Sequence, residues 1–128
     1  MPRLDAIGIT CADMKKSVAF YRLLGLNVPD ATEDHLDIDL GNGMRLMLDS
    51  VELVRKLDPE WTKPTGHAFG FAFRCASPAE VDAMFAKVVQ AGHRTKNTAP
   101  FDAFWGQRYA TVLDPDGNAV DLYADLGS

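Results

Sequence analysis

Between Ala6 and Cys11 the chain sets Ile7, Ile9 and Cys11 against Ala6, Gly8 and Thr10, the period of two that sends successive side chains to opposite faces of a strand. The alternation returns with Phe69, Phe71, Phe73 and Cys75 against Ala68, Gly70 and Ala72. In each case the bulky set predicts a face buried under a helix and the small set an open face. The covering helices follow directly. Ser77, Pro78 and Glu80 spell an N-cap, a proline at the first helical position and a capping-box acid. Val81, Met84, Phe85, Val88 and Val89 then form one apolar stripe that Gly92 stops. Asp13 caps the earlier helix, with Met14, Val18 and Tyr21 as its stripe and Gly25 as its stop. Further strands are predicted where Leu36, Ile38 and Leu40 oppose His35, Asp37 and Asp39, and where Met44, Leu46 and Leu48 oppose Arg45, Met47 and Asp49. Near the end Ala110, Val112, Val120 and Leu122 join the core, while Tyr109, Thr111, Asp121 and Tyr123 turn the other way. Turn residues Gly41 to Gly43 and Asp114 to Asn118 separate these strands.

The pattern is duplicated. Residues 7–21 lie over residues 71–85 at a constant offset, Cys11 over Cys75 and Tyr21 over Phe85, and residues 43–49 lie over 117–123 at a larger one. The expected organisation is module 1 over about 1–58, a linker over about 59–66 and module 2 over about 67–128. The expected fold class is α+β, each module a sheet with its helix on the outer face.

Composition narrows the setting. With 128 residues, 47% hydrophobic and 24% charged, the chain has the makings of a real core. A formal charge of −5 without a basic block argues against nucleic acid as a partner. The longest uncharged stretch, Pro64 to Phe73, is about half of the roughly 20 residues a membrane helix needs. Arg3 and Asp5 precede only a short apolar run, unlike a signal peptide, so a cytoplasmic protein without membrane partners is expected. Cys11 and Cys75 make no disulfide framework.

The small residues at the centre of the open face, with Asp, Met and Tyr around them, describe a concavity of the kind that takes a ligand; the alternative is that they admit another subunit's sheet. LDAIGITCADMKKSVAFYRLLG, followed late in the chain by FWGQRYATVLDPDGNAVDLYA, resembles the glyoxalase, bleomycin-resistance and dioxygenase superfamily, also called the vicinal oxygen chelate fold. The resemblance spans nearly the whole chain, and WGQRYATVLDPDGNAVDLY is its most specific part. It implies two βαβββ modules whose curved mixed sheets enclose a cavity, helices outside, and a homodimer in which modules of different chains combine.

In the family's metal-dependent enzymes, His, Gln or Glu ligands come from the first and last strand of each module. Carried over, those positions are Ala6, Met47, Gly70 and Asp121, and only Asp121 offers a ligand atom. A catalytic divalent cation needs about three protein donors, so no metal, no cofactor and no catalytic residue is expected. His35, His67 and His93 are read as strand-end or surface histidines, and both cysteines as small buried hydrophobes.

What remains is a ligand-binding set: Trp105, Tyr109, Tyr123, Phe104, Met47 and Asp121, with Trp61 a weaker member. Aromatic rings offer rigid contact area and attract cations, and a carboxylate beside them favours positive charge. Trp105 is equally readable as a core residue, and Asp121 as a solvated or hydrogen-bonded carboxylate. The favoured function is metal-free sequestration of a drug- or antibiotic-like, hydrophobic or cationic small molecule, as in bleomycin resistance. The alternatives are a glyoxalase- or dioxygenase-like enzyme, a lyase or dioxygenase with a divergent or absent metal site, and an interaction domain.

Overall fold

In the computed structural model, which describes residues 1–66 and 68–127, the first alternating segment forms β1 (Ala6–Cys11). It is followed by α1 (Met14–Leu23), β2 (His35–Asp39), β3 (Arg45–Ser50) and α2 (Val51–Leu57). These elements belong to one compact unit, Met1–Pro64. A second unit, Thr65–Ser128, contains β4 (Gly70–Arg74), α3 (Pro78–Gln90), β5 (Phe101–Ala103), β6 (Gln107–Leu113) and β7 (Ala119–Asp125). The class is the expected α+β, with two mixed sheets. No helix among the described residues is long and apolar enough to cross a membrane.

The first sheet has the order β1-β3-β2 and the second β4-β7-β6-β5. β1 runs parallel to β3 and β4 parallel to β7, the connections carrying the helix that a parallel crossover needs. The repeat extends to the register. Ala6 pairs with Arg45 where their equivalents Gly70 and Ala119 pair, and His35 pairs with Asp49 where Tyr109 pairs with Tyr123.

Each unit builds its core on the bulky faces. Ile9, Cys11, Val18, Phe20, Tyr21, Leu36, Ile38, Leu46 and Leu48 are buried in the first; Val81, Phe85, Val88, Ala110, Val112, Val120 and Leu122 are buried in the second. Both predicted caps form. The Asp13 carboxylate accepts from Lys16 N at 3.2 Å and Ser77 Oγ from Glu80 N at 3.2 Å, while Glu80 Oε1 reaches back to Ala76 N at 3.0 Å. Gly25 and Gly92 end their helices at φ +92 and +89, a region that side chains disfavour.

Three details depart from expectation. The first sheet has one strand fewer than a βαβββ plan, because the segment after α1 is anchored otherwise. The Val28 carbonyl takes Arg22 Nε at 3.0 Å and Nη2 at 2.7 Å, and Pro29 has no N–H to give a ladder. Helix α2 occupies residues that the sequence pattern assigns to no element at the end of module 1; Ser50 Oγ caps it by accepting from Leu53 N at 3.1 Å. Phe69 is 59% exposed rather than buried, since β4 begins one residue later, and it packs edge-on against Phe71 at 5.9 Å. His67, expected to share that face, lies outside the described residues.

Candidate functional site

The second sheet turns its core residues toward α3, which packs on β6 and β7, and this fixes the opposite face. Two rows cross that face. In one, Arg74 neighbours Tyr123, Tyr123 faces Tyr109, and Tyr109 faces Phe101; in the other, Ala72 neighbours Asp121 and Asp121 faces Thr111. The β5–β6 turn adds Phe104 and Trp105, and Gly106 at φ +90 makes that turn possible.

Here the aromatic rings meet edge to face. Trp105 lies 5.3 Å from Tyr109 and 5.1 Å from Phe104, and Phe101 lies 5.8 Å from Tyr109, the geometry that aligns a positive ring edge with a negative face. Phe104 is 97% and Trp105 49% exposed. That exposure rules out a core role for Trp105 and leaves apolar area available for contact.

Polar side chains hold this set in place. Trp105 Nε1 donates to Gln107 Oε1 at 2.8 Å, Gln107 Nε2 donates to Asp125 Oδ1 at 3.2 Å, and Arg74 Nη1 pairs with Asp125 Oδ2 at 3.1 Å. Arg74 also lies over the Tyr123 ring at 4.9 Å, so one aromatic face already holds a cation from the chain itself. Arg74 and then Gln107 hold the Asp125 carboxyl below the usual carboxylate range.

Asp121 Oδ1 accepts from Thr111 Oγ1 at 2.7 Å. Burial pushes the Tyr109 phenol up, the neighbouring Asp121 pushes it the same way, and Thr111 opposes them. Tyr109 therefore keeps its proton and is a donor at neutral pH. An aromatic ring thus lies beside a carboxylate at the edge of a ring cluster, a combination that can meet a flat or positively charged group.

Of the seven residues singled out from sequence, Trp105, Tyr109, Tyr123, Phe104 and Asp121 share the open side of this sheet or the turn leading into it. Met47 and Trp61 belong to the first unit. Met47 Cε sits 3.3 Å from where a Cβ on Gly8 would stand, so Gly8 makes its room. The guanidinium of Arg55 lies 5.7 Å from the Trp61 ring centre. Gln107 shares the parity of Trp105, Tyr109 and Thr111 that points to this face, while Arg74 and Asp125 lie outside the expected set, although strand parity with Ala72 and Tyr123 signals both.

The residues at the family's ligand positions do not fit a metal. Ala6, Met47 and Gly70 bring no suitable donor, and Asp121 is engaged by Thr111. No three His, Cys, Asp or Glu among the described residues are grouped to hold one. His35 is flanked by Asp49 and Asp37, and burial holds the half-buried His93 below its ordinary value against the pull of Asp114. Both cysteines are buried. Burial, then Glu80, raises the Cys75 thiol against a weaker backbone contribution from Tyr123, so it is no ready nucleophile.

The first unit also has an open groove of about 420 Å³ where β1 and β3 end, lined by Asp13, Lys15, Glu33, Asp34, Ser50 and Glu52 among others. None of the seven candidates lines it, and two of its polar side chains, Asp13 and Ser50, serve as helix caps.

The profile of the Glyoxalase/Bleomycin resistance protein/Dioxygenase superfamily matches residues 3–122. No curated protein matches the chain. Among solved structures, a glyoxalase/bleomycin resistance protein/dioxygenase family enzyme from Burkholderia phytofirmans PsJN has a TM-score of 0.84 at 19% identity, covering 98% of this chain and 100% of that one. A glyoxalase-related enzyme from Fulvimarina pelagi gives 0.83 at 19% identity, covering 98% and 89%. Protein ATC0852 from Agrobacterium tumefaciens, solved by NMR, gives 0.76 at 28% identity, covering 99% and 100%.

Proposed function

The chain belongs to the Glyoxalase/Bleomycin resistance protein/Dioxygenase superfamily, and on that premise we propose that it is a metal-independent binding protein of the bleomycin-resistance type. It sequesters a hydrophobic or cationic, antibiotic-like molecule without altering it. The observation that carries this reading is the gathering of exposed Phe104 and Trp105 with Tyr109 and Asp121 on one side of the second sheet, where aromatic surface and negative charge lie together. Support also comes from the ligand positions, where three of four residues lack a suitable donor and one carboxylate cannot anchor a catalytic cation.

A ligand that binds only the native state raises the melting temperature by mass action. A thermal-shift screen of planar aromatic cations is therefore expected to give hits that persist in chelator. Stabilisation by divalent metals alone would overturn the proposal in favour of an enzyme. Elemental analysis of the dialysed protein is expected to find no stoichiometric Zn, Fe, Mn or Ni; one tightly held ion per chain would contradict it.

The proposed assembly is a symmetric homodimer with two equivalent sites, the commonest closed arrangement. Sedimentation at micromolar concentration is expected to show a species of twice the 14.0 kDa chain mass. A lone 14.0 kDa species would refute the dimer while leaving the binding proposal standing.

A further inference from the structure

Among the described residues β2 is an edge strand, bonded to β3 alone, so its hold on the sheet depends on one neighbour. On the open face of that pair His35 stands between two carboxylates. Its Nδ1 is 2.5 Å from Asp49 Oδ1 on β3, and its Nε2 is 3.1 Å from Asp37 Oδ2 on β2. An ionised carboxylate only accepts, so both contacts are hydrogen bonds only when both ring nitrogens carry protons. The neutral ring has one N–H, and either tautomer turns a lone pair onto a carboxylate.

The surrounding charges favour the protonated form. Asp37 is also bound by Arg45 on β3, and Arg45 Nη2 reaches Asp5 at 2.9 Å, which in turn pairs with Arg3 at 3.5 Å. Asp39, next along β2 on the same face, accepts from Gly41 N at 2.8 Å. β1 turns only Ala6, Gly8 and Thr10 to this side. Glu33 and Asp34 precede the strand, and α2, which touches β1 and β3, carries Glu52, Arg55 and Lys56. The charges that act on the imidazole are those of Asp49 and Asp37.

We propose that His35 is a pH-operated latch, fastening the end of edge strand β2 to β3 through both ring N–H groups as an imidazolium and loosening that end, without detaching it, when one of the two is lost.

The hydrogen bond to Asp49 is the largest influence and holds the imidazole above its ordinary 6.5; slight burial opposes it, and Asp37 with the attraction of both charges reinforces it. A value raised by folding means that the latch contributes fully below the unfolded histidine's value and is lost as pH rises through the folded one. His35 and Asp37 are well exposed to solvent, so the effect is local. Arg45 keeps its grip on Asp37 at high pH, and Ser50 N still donates to Asp34 O at 2.8 Å, so the effect is a loosening at the His35 end rather than an opening of the whole unit.

The test is NMR on the full chain. His35 is assigned as the ring resonance that H35Q removes. It is expected to titrate with a midpoint above 6.5, with both nitrogens protonated below it. Hydrogen-exchange protection of the β2 amides, corrected for the intrinsic pH dependence of exchange, is expected to fall across that midpoint relative to β6 and β7. In H35Q the fall should disappear, and in Asp49→Asn the midpoint should drop by a measurable fraction of a pH unit or more. A wild-type midpoint at or below 6.5, an unmoved midpoint in Asp49→Asn, or a fall in protection that survives in H35Q would each overturn the latch.

Discussion

Asp114→Ala is expected to lower unfolding stability by about 3 kcal/mol while leaving ligand affinity of the folded protein unchanged. Asp114 is only 2% exposed, and its carboxylate accepts from Asp116 N at 2.9 Å, Asn118 N at 2.8 Å and Asn118 Nδ2 at 2.8 Å. Its backbone closes the same turn, Asp114 N donating to Asn118 O at 3.0 Å and Gly117 N to Asp114 O at 3.0 Å. Hydrogen bonds to a charged group contribute roughly 1.5 to 3 kcal/mol each, and water recovers part of the loss at the half-exposed amides. Asp114→Asn, which keeps an acceptor without the charge, should lose about half as much. Denaturant midpoints of the two variants measure this. A variant of unchanged stability that no longer binds would move the turn into the site. DPDGN, the turn within the most specific part of the family resemblance, thus registers the β6–β7 hairpin.

Trp105→Ala carries the second large effect, with the opposite signature. The side chain is half exposed, so truncation should cost well under the roughly 3 to 5 kcal/mol of a buried tryptophan. Its contact with a stacked ligand should instead account for about 1 to 3 kcal/mol of binding, about 5- to 150-fold in Kd. Gln107→Ala tests the support beneath it: removing the acceptor of the indole N–H should weaken binding less than Trp105→Ala and leave the melting temperature nearly unchanged. Full core-scale destabilisation with unchanged affinity would return Trp105 to a structural role.

The elements ruled by local chemistry were legible before any coordinates. Asp13 and Ser77 are capping residues in any context, and the alternation at Leu46 and Leu48 or Val120 and Leu122 puts their side chains inside wherever the sheet lies. The register itself was not legible, although the repeat carries it from one sheet to the other, since Ala6 pairs with Arg45 as their equivalents Gly70 and Ala119 pair. Long-range competition was not legible. Nothing near Val28 announces that Arg22 will take its carbonyl, and so the missing strand was invisible. Helix α2 was within reach, since Ser50 and Glu52 followed by Arg55 and Lys56 read as cap, first turn and last turn, but the helix is short and follows strand β3 without a break, which masks its start.

The site followed the same division. Parity along β6 and β7 placed Tyr109, Thr111, Asp121 and Tyr123 on one face. The relay from Arg74 through Asp125 and Gln107 to Trp105 joins three strands and a turn, and depends on how β4, β7 and β6 line up. His35, expected to be an ordinary strand-end histidine, has Asp37 two residues along its own strand but acquires the second carboxylate, Asp49, only once β2 pairs with β3.

Calorimetric titration of a planar aromatic cation in excess chelator, against the wild-type protein and Asp121→Asn, tests the central claim most directly. The side chain lost in Asp121→Asn is a charge of nearly unchanged volume. The expected result is saturable binding without metal, weakened about tenfold or more in Asp121→Asn, a loss of about 1.4 kcal/mol, while a neutral molecule of the same shape binds both proteins alike. Binding that vanishes in chelator, or that is identical in the two proteins for the cation, would contradict it.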